Sequence, residues 1–197
     1  MPTNDGGIGS LLACVIPVAI AVIVMAIPFL IYNSLVSLRN MVKESWSDVD
    51  TELKRRYDLI PNLVETVKGY AAHEREVLEQ VARARAAAAA DHGPVAHQSE
   101  TEQTLQDSLG RLFAVAERYP DLKASANFLE LQKELANTEN RIQAARRFYN
   151  GNVRDYNTRC QMFPSSIIAS MFKFQSADFF RLRTDVEREA PRLEWEN

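Results

Sequence analysis

Apolar positions along the chain fall into two regimes. Residues 6–38 carry no charged side chain, and their centre, "LLACVIPVAIAVIVMAIPFLIY" (residues 11–32), is almost continuously apolar. About 20 such residues are what a helix needs to cross about 30 Å of hydrocarbon. Beyond that run the apolar residues recur at steps of three, four or seven, which places them on one face of a helix. Leu35, Val42, Trp46, Val49 and Leu53 carry this pattern onward. Asp58 and Pro61 then predict a break, because aspartate caps a helix well and proline suits a first turn. The second helix, residues 59–90, should bury Leu63, Val67, Tyr70 or Ala71, Val77 or Leu78, and Val81. It ends in an alanine tract ahead of the breaker "DHGP" (residues 91–94). A low-complexity linker is the rival reading of the tract.

A third helix opens at "SETE", where Ser99 and Glu102 have capping-box spacing, and buries Leu105, Leu109, Leu112 and Ala116. The chain turns at Pro120. The longest helix then sets Phe128, Leu131, Leu135, Thr138, Ile142, Ala145, Tyr149, Val153, Tyr156, Cys160 and Phe163 on one seam, and Pro164 ends it. Short connections between such helices predict an all-α protein. One amino-terminal transmembrane helix continues into a long antiparallel up-and-down helical bundle.

Flanking charge decides how the apolar run is read. The start "MPTNDGG" has no Lys or Arg, and the run passes Tyr32 and Asn33 without a small-residue cleavage site, which argues against a signal peptide. Cys14 precedes most of the run, whereas a lipoprotein cysteine would follow it. A retained span remains. Arg39, Lys43, Lys54, Arg55 and Arg56 all lie on its carboxyl side, so the positive-inside rule puts the amino terminus outside and the rest in the cytoplasm. The expected organisation is a short extracytoplasmic start (1–10), the span (11–32) and a cytoplasmic bundle (33–164). An amphipathic, aromatic-rich segment (165–183) and an acidic, flexible tail (184–197) follow. Pro17 and Pro28 should bend the span, and Ala13, Ala19 and Ala26 would let copies of it pack closely.

Net charge is −3 over 197 residues, which gives no basic surplus for a nucleic acid. Two widely spaced cysteines, Cys14 and Cys160, exclude a disulfide framework. No histidine has a glutamate three residues before it, and no HExxH, CxxC, GxSxG or phosphate-loop motif occurs. The chemistry therefore predicts no catalytic, cofactor or metal site and no enzyme.

Two other features stand out. "YN" recurs at Tyr149–Asn150 and Tyr156–Asn157, seven residues apart, with the tyrosines on the seam. These pairs are either amphipathic edge positions or buried hydrogen bonds that fix helix register. Ile167, Ile168, Met171, Phe172, Phe174, Phe179 and Phe180 cluster beside Lys173, Arg181 and Arg183. They would form a membrane-interface segment with apolar groups for the acyl boundary and basic groups for anionic head groups, or else cap the bundle core.

The stretches "LKRRYDLIPNLVETVKGYAAHE", "ERYPDLKASANFLELQKELANTENRI" and "ARRFYNGNVRDYN" resemble the bacterial LemA family, from about residue 32 to residue 180. The resemblance implies a membrane anchor, a cytoplasmic helical bundle and no assigned reaction. It also implies an envelope setting, since such proteins are often encoded near membrane metalloproteases. In "MFKF", Lys173 stands where the family usually places glycine. The expectation is thus a single-pass scaffold or adaptor of the bacterial inner membrane, without enzyme activity, acting as a homo-oligomer. Its partners would be the lipid bilayer and an envelope protein such as a membrane metalloprotease. The alternative is a membrane-surface remodelling or stress-sensing protein that works through its carboxyl-terminal amphipathic segment.

Overall fold

The computed structural model describes residues 5–182, with side chains at Pro17 and from Met25 onward. All regular structure among them is helical: α1 (Asp5–Tyr70), α2 (Arg75–Ala90), α3 (Val95–Ala116), α4 (Pro120–Lys123), α5 (Ala126–Gln161) and α6 (Ser165–Met171). The chain forms two compact units. One joins Lys43–Val153 with the chain from Asp178 onward, and the other joins the chain up to Val42 with Arg154–Ala177.

The larger unit is an antiparallel bundle. Glu52 faces Arg141 at 3.6 Å and Trp46 meets the Tyr149 ring at 5.1 Å, so α5 runs against α1. Between α2 and α3, Gln80 meets Arg111 at 3.2 Å, while Asp91 at the end of α2 receives Thr101 at 3.1 Å. Those pairings also run in opposite senses. Ile60, Leu63, Val67, Ala71, Leu78, Val81, Leu105, Leu112 and Leu135 form its core. Ala88 of the alanine tract (residues 86–90) is buried there, as is Ala84 just before it, and α2 runs through the tract, so the tract is helix and not linker.

The expected break at Asp58 and Pro61 is absent, because α1 is one helix of 66 residues. A proline inside a helix cannot donate to the carbonyl four residues earlier. For Pro61 that carbonyl belongs to Tyr57, and Arg85 Nε donates to it at 3.1 Å. The side chain from α2 supplies what the backbone lacks, and the buried rhythm Leu53, Ile60, Leu63, Val67 continues unbroken. The helix ends instead at Tyr70, one residue past Gly69, a poor helix former, and residues 71–74 turn the chain. There Glu74 takes Arg118 Nη2 at 2.9 Å and the Tyr119 hydroxyl at 3.3 Å.

Two further expectations are corrected. α3 starts at Val95 behind Pro94, not at Ser99, whose hydroxyl donates to the Val95 carbonyl at 2.9 Å from inside the helix. Phe163 is off the seam: α5 ends at Gln161, and Phe163 is 80% exposed. It precedes a cis bond to Pro164.

In the smaller unit Ile31, Leu35, Ile168 and Ala169 pack together, with Tyr32, Cys160 and Phe174 against them. Its α6 ends in a Schellman turn. Phe174 N–H donates to the Ala169 carbonyl at 2.9 Å and Lys173 N–H to the Ser170 carbonyl at 3.2 Å. The residue at the centre of that motif must be left-handed, which favours glycine. Here it is Lys173, with φ 54°.

Among the described residues no helix is long and apolar enough to cross a membrane. Most side chains of the expected span, and the acidic tail 184–197, lie outside the described residues.

Candidate functional site

Among the described residues, two charged side chains sit inside the bundle. Arg56 lies between Leu53 and Ile60 on the buried stripe of α1, and Glu102 lies one turn before Leu105 on α3; they are 2% and 1% exposed. The Arg56 guanidinium pairs with Glu102, and its Nη1 reaches Glu139 Oε2 of α5 at 3.1 Å. The Tyr57 hydroxyl donates to Glu102 Oε1. Burial pushes that hydroxyl up to about 12, with Arg56 opposing the shift and Asp50 and Asp91 adding to it, so it stays a donor. Burial also pulls the Arg56 guanidinium below its ordinary value, against Glu139. Three helices are held by groups that cannot slip without stranding a buried charge. Sequence reasoning missed this node and assigned Glu102 to a cap. The signal was present: both charges occupy positions of an apolar stripe.

The polar groups of the tyrosine–asparagine pairs do not bond to another helix. They hold the backbone of the irregular segment that follows α6. In the smaller unit the Tyr156 hydroxyl donates to the Gln175 carbonyl at 2.8 Å. Asn157 grips Ala177 from both sides, with Nδ2 donating to its carbonyl at 2.9 Å and Oδ1 accepting its N–H at 2.8 Å. In the larger unit the Tyr149 hydroxyl donates to the Asp178 carbonyl at 2.8 Å, and Asn150 makes the same double bond to Phe180, at 3.0 and 2.9 Å. Seven residues back in α5 and three forward in the segment reproduce the pattern. Burial lifts the Tyr149 and Tyr156 hydroxyls to about 12, Asp178 adding to the first and Cys160 to the second. Each clamp therefore stays protonated at neutral pH.

The clustered apolar residues of 167–180 divide. Ile167, Met171 and Phe172 are exposed, whereas Ile168 is buried and Phe180 is 0% exposed. Phe180 stands edge-on to Trp46 with centroids 5.4 Å apart. Phe174 lies between the Tyr32 ring, 5.7 Å away, and the Arg39 guanidinium, 5.1 Å from its centroid. Phe179 carries Arg181 over its face at 5.1 Å. Ile168 and Phe180 are thus core residues and not available to lipid. In the smaller unit Met25, Phe29 and Leu30 of α1, and Met162 and Phe163 after α5, are exposed as well.

Among the described residues no group of three or more His, Cys, Asp or Glu side chains could hold a metal ion. Cys160 is a free, half-buried thiol whose pKa burial raises.

Comparison with known proteins places this architecture. Magnetosome protein MamQ 2 of Paramagnetospirillum magneticum is 25% identical over 177 residues, covering 76% of this chain and 64% of that protein. Magnetosome protein MamQ of Magnetospirillum gryphiswaldense is 23% identical over 176 residues, covering 76% and 64%. The chain therefore spans just under two thirds of the length of these relatives. Protein LemA of Metamycoplasma hominis is 24% identical over 156 residues, covering 79% of this chain and 71% of its own. The family model described as LemA family matches residues 45–195, which include the buried node, both clamps and Lys173, and the chain belongs to that family.

Proposed function

We propose that the chain is a non-enzymatic scaffold of the bacterial envelope, anchored by residues 11–32 with the amino terminus outside and the bundle in the cytoplasm, and that it acts as a homo-oligomer. The observation that supports this most is where large apolar side chains are exposed. Met25, Phe29, Leu30, Met162, Phe163, Ile167, Met171 and Phe172 belong to the unit that contains the apolar run, against Tyr70, Leu129 and Phe148 in the larger unit. Soluble monomers rarely expose so many large apolar groups together. The polar groups of the buried node and of the two clamps bond to neighbouring helices and to main chain.

The test has two arms. A reporter fused after Asn197 should work only where it requires the cytoplasm, while a tag at Met1 should be reachable from outside the cell. Activity of a periplasmic reporter at the carboxyl end would overturn the topology. Light scattering of the detergent-solubilised protein should give a mass of several copies, and a monomer at every concentration would overturn the scaffold reading. Copurified envelope proteins, a membrane metalloprotease included, would identify what it gathers.

A second reading, remodelling or sensing at the membrane surface, rests on exposed Ile167, Met171 and Phe172 beside Lys173. Such a segment should bind anionic liposomes, and Ile167→Ser/Met171→Ser/Phe172→Ser should abolish binding while leaving the fold intact.

A further inference from the structure

We infer that the Tyr156–Asn157 clamp is a receptor for peptide main chain outside regular structure, and that neighbouring copies of this chain fill it with each other's segment. The idea rests on the homo-oligomeric reading above and states how the copies join.

The first ground is what the clamp recognises. Its three bonds end on the Gln175 carbonyl and on the carbonyl and N–H of Ala177. No side chain of the segment enters them. Backbone recognition of this kind gives affinity without selecting a sequence. The segment runs on into Asp178 and Phe180, held by Tyr149 and Asn150, so the whole stretch moves together, and the same stretch from another copy satisfies every bond that the chain's own does.

The second ground is the hinge. The segment reaches the clamp through the Schellman turn, and the turn forces Lys173 to φ 54°. A left-handed conformation is unfavourable for a residue with a Cβ. That penalty weights the chain toward opening the turn, and short hinges under strain invite exchange. Glycine at this position would keep the turn closed. The lysine is therefore the element that lets the segment leave.

In a membrane the copies are confined to a plane, which raises the effective concentration of the neighbour's segment against the chain's own. Exchange between two copies closes a dimer. Exchange passed onward from copy to copy builds a chain, as head-to-tail contacts do.

The experiment uses the full-length protein in membranes, with Cys14→Ser and Cys160→Ser as background. Thr158→Cys and Ser176→Cys, exposed neighbours of Asn157 and Ala177, are placed on separate, differently tagged copies. The copies are co-expressed and treated with a short bis-maleimide. Exchange predicts a mixed dimer linking residue 158 of one copy to residue 176 of the other. Lys173→Gly should lower its yield about fivefold, and Lys173→Pro, which cannot adopt positive φ, should raise it. Asn157→Ala should remove it. Mixed product that ignores all three substitutions would reflect mere proximity and overturn the inference. So would the absence of mixed product when a control chain carrying both cysteines does form the 158–176 link within itself. In either case, a multi-copy mass by light scattering of the same sample would leave the homo-oligomeric reading standing, whereas a monomer would remove both.

Discussion

Arg85 donates to the Tyr57 carbonyl, the acceptor that Pro61 deprives of its helical donor. The two residues are 28 apart in sequence and act as one backbone repair. Arg85→Ala should therefore cost about 1–3 kcal/mol, the penalty for an unmet acceptor in a part-buried setting. In a Pro61→Ala background the helix regains its own N–H, and the same substitution should cost much less. Urea denaturation of the four proteins of this cycle checks it, and additive costs would mean that Arg85 does something else.

The buried node makes a sharper prediction. Arg56→Met strands Glu102 and should cost about 3–5 kcal/mol, whereas Arg56→Met with Glu102→Leu should recover most of that loss. Glu102→Gln keeps an acceptor for Tyr57 but removes the pair, so it should fall between the two. Chemical denaturation midpoints of the series are the measurement.

Lys173→Gly should raise the stability of the closed turn by up to about 1 kcal/mol, because the left-handed cost of 1–2 kcal/mol is relieved and part is returned as glycine entropy. A lowered thermal midpoint for this variant would mean the lysine side chain makes a contact worth more than its backbone cost.

Stability should also fall at both ends of the pH scale, for different groups. Tyr57 and Tyr149 are raised to about 12 in the folded chain, against about 10 when unfolded. Their contribution is complete below pH 10 and is lost as pH rises toward 12. Asp91 is held below its ordinary value, first by the Gly93 N–H and then by His97 and Thr101. Its contribution is present above the unfolded pKa and is lost as pH falls through the folded one. Circular dichroism melts across pH should show both limbs. Tyr57→Phe should shrink the alkaline limb, leaving the share of Tyr149, and Asp91→Asn should shrink the acidic one.

The parts of the fold that the sequence made visible are those whose physical cause is local. Leu63, Val67, Val81, Leu105, Leu112 and Ile142 are buried as their three- and four-residue spacing requires, since a helix can bury only one face. Continuity through Pro61 was not visible, because its donor comes from another helix. The Schellman turn was half visible, as a position where the family resemblance puts glycine and this chain has Lys173. The tyrosine–asparagine pairs showed their period of seven, but their partner is backbone, and backbone leaves no mark on sequence. Arg56 and Glu102 stood on their stripes in plain view; capping-box spacing masked the second of them.

Because both clamps grip main chain, the segment beyond α6 obeys an unusual mutational grammar. The clamps call on N–H groups only at Ala177 and Phe180, and at residues 175 and 178 on the carbonyl alone. Side chains at 175, 177 and 178 are free of those bonds, while Phe180 is further constrained by its burial. Proline, the one residue without an N–H, is barred by this chemistry at 177 and 180. A proline scan would thus mark 177 and 180, three residues apart, while the side chains at 175, 177 and 178 leave the clamps untouched.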